Sequence, residues 1–235
     1  MNKSTTHRLL ATLESKHFIL RDKTTGMYQL GFLFIELASI TIRDRDVQRW
    51  ARPYLEELSS QSSETVDLAI LDDCDVIYLQ VVESTQRVKI AAAVGERLPA
   101  TSTASGKAFL AYLPEEKVKR ILDQGISRLP ENTLVTREKL LEDLHTTRMR
   151  GFAISEEEFE KDINAVAAPI LDSQGTPLAV IAIVGPSYRM SHERMLALGK
   201  MICVTAESIG REVGMAALAV ILSKSSISNP MEFTG

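Results

Sequence analysis

The spacing of apolar residues changes near Glu64, and the change excludes both an all-helical and an all-strand chain. Before it, Val47, Trp50, Ala51, Tyr54, Leu55 and Leu58 recur at steps of three and four, the repeat of one helix face. Pro53 stands inside that repeat, where it is expected to kink or restart the helix. After Glu64 the period is two. Val66, Leu68 and Ile70 alternate with polar or small neighbours, as in a strand with one buried face. Segments 76–82 and 88–94 read as further strands, with turns at Asp72-Asp73 and Ser84-Thr85-Gln86. Helices are then predicted over 114–122 and 136–149, and strands over 152–155, 163–171 and 177–184, the last two joined at Asp172-Ser173-Gln174-Gly175. A long helix follows Ser191, its buried side formed by Met195, Leu198, Ile202, Thr205, Ile209 and Val213. One sheet with helices on its faces makes the expected class α+β.

The first 30 residues differ in charge and pattern from the rest. They carry five Lys/Arg against two Asp/Glu, while the remainder carries 22 against 29. A basic arm on an acidic body suits a nucleic-acid contact joined to a body that binds something else. Residues 4–15 form an amphipathic helix with Leu9, Leu10 and Leu13 on one face and Lys3, Thr6, His7 and Arg8 at its start. Two short strands around a polar turn, 18–21 and 27–30, follow it. A helix plus a hairpin is the second half of a winged helix. Residues 32–42 are apolar at helical spacing and predict a connecting helix, read as a seam between protomers.

A third constraint is the stretch Val94 to Tyr112. An apolar segment ends at Gly95, Leu98-Pro99 turns the chain, and small hydroxyl residues from Thr101 to Ser105 precede an Ala/Phe/Leu run of helical spacing. Either Thr103 or Ser105 caps this helix, or the helix start receives a ligand oxygen. No nucleotide loop is present, because Thr101 stands where a phosphate loop requires Gly. No Ser-based catalytic motif occurs, Ala104 standing three residues before Lys107, and the four histidines are dispersed. Cys74 and Cys203 form neither a metal knuckle nor a disulfide framework. The acidic cluster Glu156, Glu157, Glu158, Glu160 and Asp162 lacks the Asp/Asn/Gly pattern of a calcium loop and reads as a solvated loop. No enzyme activity, metal or cofactor is expected. The longest apolar runs, 177–186 and 214–222, are too short to span a bilayer, so a cytoplasmic protein is expected.

These stretches together resemble the IclR family of bacterial transcription regulators. The motif Arg97-Leu98-Pro99, a hydroxyl run and Gly106-Lys107-Ala108-Phe109-Leu110-Ala111 resembles the family's effector domain. Residues 3–13 look like its DNA-reading helix; Arg150-Gly151-Phe152-Ala153, Ala165-Val166-Ala167-Ala168-Pro169 and Val184-Gly185-Pro186 look like its later sensor strands. The resemblance implies a partial winged helix at 1–31, a linker and dimerisation helix at 32–45, a GAF-like effector-binding domain at 46–222 and a disordered tail at 223–235. It implies DNA contacts from Lys3, Ser4, Thr5, Thr6, His7, Arg8, Arg21 and Lys23. The family's DNA-binding domain has two more helices ahead of the reading helix, and this chain begins almost at that helix. Two alternatives stay open: a regulator whose DNA-binding half is incomplete here, or a stand-alone sensor that has lost DNA binding.

Carried over residue by residue, the effector pocket comprises Leu98, Ala104, Ser105, Ser155, Ile163, Ala165, Ala182 and Val184, with the acidic loop closing over it. Ala182 and Val184 occupy positions where relatives that sense oxo-acids can have hydroxyl residues. The resemblance therefore implies a small organic-acid effector, a monocarboxylate with an apolar or aromatic body. The expected partners are double-stranded operator DNA, that effector, and further copies of the chain in a homodimer or homotetramer.

Overall fold

The computed structural model describes residues 2–34, 47–90, 92–125 and 136–227, with 216–227 described by backbone alone. The chain forms two compact units, Met1–Asp46 and Val47–Gly235.

In the first unit, α1 (Lys3–Ser15) is followed by His17 in the left-handed region, at φ 60°, which reverses the chain. The Phe18 N–H then donates to Leu13 O at 2.9 Å and anchors β1 (Ile19–Arg21) to the helix end. β1 pairs antiparallel with β2 (Tyr28–Leu30). At the hairpin tip the Asp22 carboxylate accepts the N–H groups of Thr24 and Thr25, at 2.7 and 2.9 Å, and these bonds, that of Thr25 first, lower its pKa. Helix and wing are therefore present. The connecting helix expected over 32–45 lies almost wholly outside the described residues.

The second unit is built on a six-stranded antiparallel sheet in the order β5-β4-β3-β8-β7-β6. These strands are β3 (Thr65–Asp72), β4 (Asp75–Val82), β5 (Arg97–Pro99), β6 (Ala153–Glu156), β7 (Ile163–Leu171) and β8 (Pro177–Pro186). Val66, Leu68 and Ile70 of β3 share one face with Val166, Ala168 and Ile170 of β7 and Ile181 and Ile183 of β8. That face is covered by α2 (Val47–Ser62), through Ala51, Leu55 and Leu58, and by α6 (His192–Ile227), through Met195, Ile202 and Ile209. The opposite face meets α3 (Ala104–Leu110), with α4 (Glu115–Asp123) and α5 (Arg137–Arg150) packed beyond it. Both faces of the sheet are thus buried, a stronger condition than the one buried face inferred from alternation.

Four expectations change. Residues 88–90 and 92–94 are not strand: Gly95 and Glu96 exchange backbone bonds with Tyr78 and β5 then pairs with β4, so the sheet edge is filled by later residues. For the same reason Leu98-Pro99 is strand rather than turn. α2 runs through Pro53 without restarting, with the proline on its exposed side. α6 continues to Ile227, five residues past Leu222 where the sequence reading ends it, and 228–235 lie outside the described residues.

Candidate functional site: a cavity between the sheet and α3

The hydroxyl run before α3 caps the helix. Thr103 is extended, at φ −110° and ψ 149°; its Oγ1 accepts the Gly106 N–H at 3.1 Å and donates to Pro99 O at 3.1 Å. Thr103, not Ser105, is therefore the cap. Gly106 is dictated by proximity: a Cβ there would lie 2.1 Å from Ala100 O. All seven residues of α3 are buried. One of them is a lysine. Lys107 Nζ donates to Ile154 O at 2.6 Å and meets Asp143 at 2.6 Å and Glu158 at 2.7 Å. This cation ties α3 to α5 and to the acidic loop between β6 and β7. The solvated reading of that loop fails at Glu158, whereas Glu156 is exposed, its Oε1 3.0 Å from the equally exposed His192 Nδ1.

Between the sheet and the start of α3 is a cavity of about 110 Å³. All eight pocket positions named from sequence line it: Leu98, Ala104, Ser105, Ser155, Ile163, Ala165, Ala182 and Val184. Strand register explains the convergence. Ser155, Ala165, Val184 and Thr65 stand in one cross-strand row, and Ala167, Ala182, Asp67 and Val81 in the next. Residues two apart on a strand share a face, so Ala165 and Ala167, like Ala182 and Val184, look the same way, toward α3.

Sequence reasoning missed the polar lining. Asp67, Tyr78, Glu96, Thr103 and Glu160 also face the cavity, with Ile90, Ala92 and Phe159. Beyond the two serines the pocket is therefore not wholly apolar. Asp67 is 1% exposed and its Oδ1 has no hydrogen-bond partner. Desolvation pushes its carboxyl up to about 8. Burial and the Asp67 charge likewise raise the Tyr78 phenol. A register shift between Leu68 and Ala69 leaves Leu79 unpaired on β4 as a bulge, which sets Tyr78 opposite Ala69 on the cavity side. A signal for Asp67 was present: in a sheet buried on both faces, a carboxylate alternating with Val66 and Leu68 has no solvent to enter.

In the first unit, Lys3, Ser4, Thr5, His7 and Arg8 are exposed on the first two turns of α1, with Thr6 half-buried. Thr6 Oγ1 donates to Asn2 O at 3.3 Å. Arg21 lies over the Tyr28 ring at 5.7 Å, and Lys23 is exposed at the wing tip. Among the described residues no helix is long and apolar enough to cross a membrane, and no cluster of His, Cys, Asp or Glu could hold a metal.

A reading helix with its wing, and a GAF-like sheet with an internal cavity, define a ligand-responsive DNA-binding regulator. The comparisons with known proteins make the family specific. Residues 40–211 match the family model described as bacterial transcriptional regulator IclR C-terminal. The HTH-type transcriptional repressor AllR of Escherichia coli K12 is 33% identical over 215 residues, covering 91% of this chain and 79% of that protein. The transcriptional repressor IclR of the same strain is 34% identical over 209 residues, covering 88% and 76%. Among solved structures, the Thermotoga maritima IclR superposes with a TM-score of 0.74 at 31% identity, covering 91% of this chain and 87% of that one. An IclR transcriptional regulator from Alicyclobacillus acidocaldarius superposes at 0.78 with 28% identity, covering 91% and 86%. The chain belongs to the IclR family of transcription regulators, and its named relatives are repressors, not enzymes.

Proposed function

We propose that this chain is a cytoplasmic repressor in which a small organic acid, bound in the cavity beneath the acidic loop, changes the affinity of α1 and the wing for operator DNA. The observation that carries this reading is the convergence of the eight named positions from five separate segments on one cavity. Its size narrows the acid. A cavity of about 150 Å³ admits a benzene ring, and this one is about 110 Å³. A short aliphatic acid of about three to five carbons, by that roughly scaled comparison, fits within the cavity without movement of the loop. The buried hydroxyls of Ser105 and Ser155 supply donors for its carboxylate, and Leu98, Ile163, Ala165, Ala182 and Val184 enclose its chain.

Residues 1–31 form the DNA-reading unit, 32–45 join protomers into a dimer or tetramer, and 46–222 are the sensor. The acid acts by preferring one arrangement of the assembly, which sets the separation of its reading helices.

Thermal denaturation across short aliphatic acids tests the cavity. Binding stabilises the fold by about 2.7 kcal/mol at a hundredfold excess over Kd. Ala104→Leu fills the space and removes that gain; a variant that binds normally contradicts the assignment. Selection from random duplex DNA by the chain completed with the two helices the family places ahead of α1 tests the other half, since the 235-residue chain alone should bind weakly or not at all. Arg8→Ala and Thr6→Ala should each cost about 1–3 kcal/mol of affinity for the selected sequence where they meet bases. Absence of any selected sequence favours the stand-alone sensor.

A further inference from the structure

The assigned cavity has one polar group that an unsubstituted acid leaves unanswered. Asp67 sits mid-strand in β3, between Val81 of β4 and Ala182 of β8, on the face that looks toward α3. It is buried, it lines the cavity, and its Oδ1 has no partner. A buried polar group without a partner costs free energy that a bound molecule can recover. We infer that Asp67 is the specificity-determining residue of the pocket and reads a hydroxyl on the carbon chain of the acid, so that the effector is a short hydroxy acid. The inference rests on the proposed effector cavity and adds to it the substituent the effector must carry.

Charge and protonation favour a hydroxyl over other partners. Tyr78 from β4, Glu96 from the stretch before β5 and Glu160 from the acidic loop face the same space, and among the described residues no side chain lining it is basic. Lys107, the cation of α3, is already engaged by Asp143, Glu158 and Ile154 O. With burial holding its carboxyl near 8, Asp67 at neutral pH is mostly a neutral acid with one donor and one acceptor oxygen. A hydroxyl offers the complementary pair and introduces no charge. An alkyl chain offers neither, and an ammonium would require two charges to be desolvated together. Ionising Asp67 beside a bound carboxylate is unfavourable, so affinity is retained below pH 8 and falls above it.

Isothermal titration of the whole chain with butyrate, 2-, 3- and 4-hydroxybutyrate and 4-aminobutyrate tests this. One hydroxybutyrate should bind about tenfold more tightly than butyrate, the worth of one recovered hydrogen bond. Asp67→Ala should bring that isomer level with butyrate, closing the tenfold gap between the two, because the hydroxyl loses its partner. The near-isosteric Asp67→Asn should keep the preference and bind equally at pH 7 and 9, whereas the wild type should lose about tenfold over that range. Equal binding of butyrate and all three isomers, a preference that survives Asp67→Ala, or tighter binding of 4-aminobutyrate would overturn the inference and leave the cavity assignment standing. No binding of any of the five compounds would overturn both.

Discussion

Helix α1 buries none of its thirteen residues, whereas α2, three residues longer, buries six. Both carry apolar residues at helical spacing, yet Leu9 and Leu13 are 49% and 39% exposed while Leu55 and Leu58 are essentially inaccessible. What separates them is the partner. α2 lies on a sheet and beside α6, whereas among the described elements α1 packs chiefly against the strand that follows it. An apolar stripe therefore reports which face of a helix can be buried, and the surrounding elements decide how much stability it contributes. For function the contrast is apt: the sensor is held by its own core, and the reading unit presents its helix on a small hairpin.

The largest expected effect breaks the contrast most directly. Leu55→Ala should lower stability by about 2–5 kcal/mol, and Leu9→Ala by less than about 0.5 kcal/mol, in denaturant unfolding. Similar losses would mean that α1 packs as α2 does. Next comes the buried cation. Lys107→Met should cost about 2–3 kcal/mol, at the low end for a broken buried pair because Asp143 and Glu158 are partly exposed. A neutral result would remove Lys107 as the tie between α3 and the acidic loop.

Asp67 gives a pH signature. Its folded pKa, about 8, lies above its unfolded value, so between roughly pH 4 and 8 the unfolded chain has released a proton that the folded chain retains. Stability is greatest at the low end of that window and falls as pH rises through it, by up to about 1.4 kcal/mol per pH unit from this group, levelling above 8. Asp67→Asn should remove that slope in urea titrations across the window. The smallest effect concerns the cap: Thr103→Ala should cost about 1 kcal/mol, and a change near zero would show that Gly106 needs no acceptor.

The parts of the fold legible in sequence were those set by local period. The hairpin of β7 and β8, the helix after Ser191 and the wing all stand where alternation, cap and turn residues put them. Segment 88–94 has the period of a strand and no strand edge to pair with, a matter of long-range topology that no local pattern contains. The positions of the cavity were legible through the family resemblance, and register brings them together. Its chemistry was less so. Asp67 was read as the solvent side of a half-buried strand, and that reading fails because α3 covers the second face. Lys107 was weighed for its chemistry as part of a phosphate loop or a Ser-x-x-Lys motif, although Asp143 and Glu158, 36 and 51 residues away, hold it.

Hydrogen exchange with and without a saturating short organic acid tests the central claim that the effector site lies between the sheet and α3. Without acid, amides of α1 should exchange quickly and those of β3, β7 and β8 slowly, following their difference in burial. With acid, exchange should slow in residues 97–110 and 153–165, the segments that carry most of the cavity wall. Slowing confined to residues 3–30, or unchanged exchange at both wall segments with the acid demonstrably bound, would contradict the account.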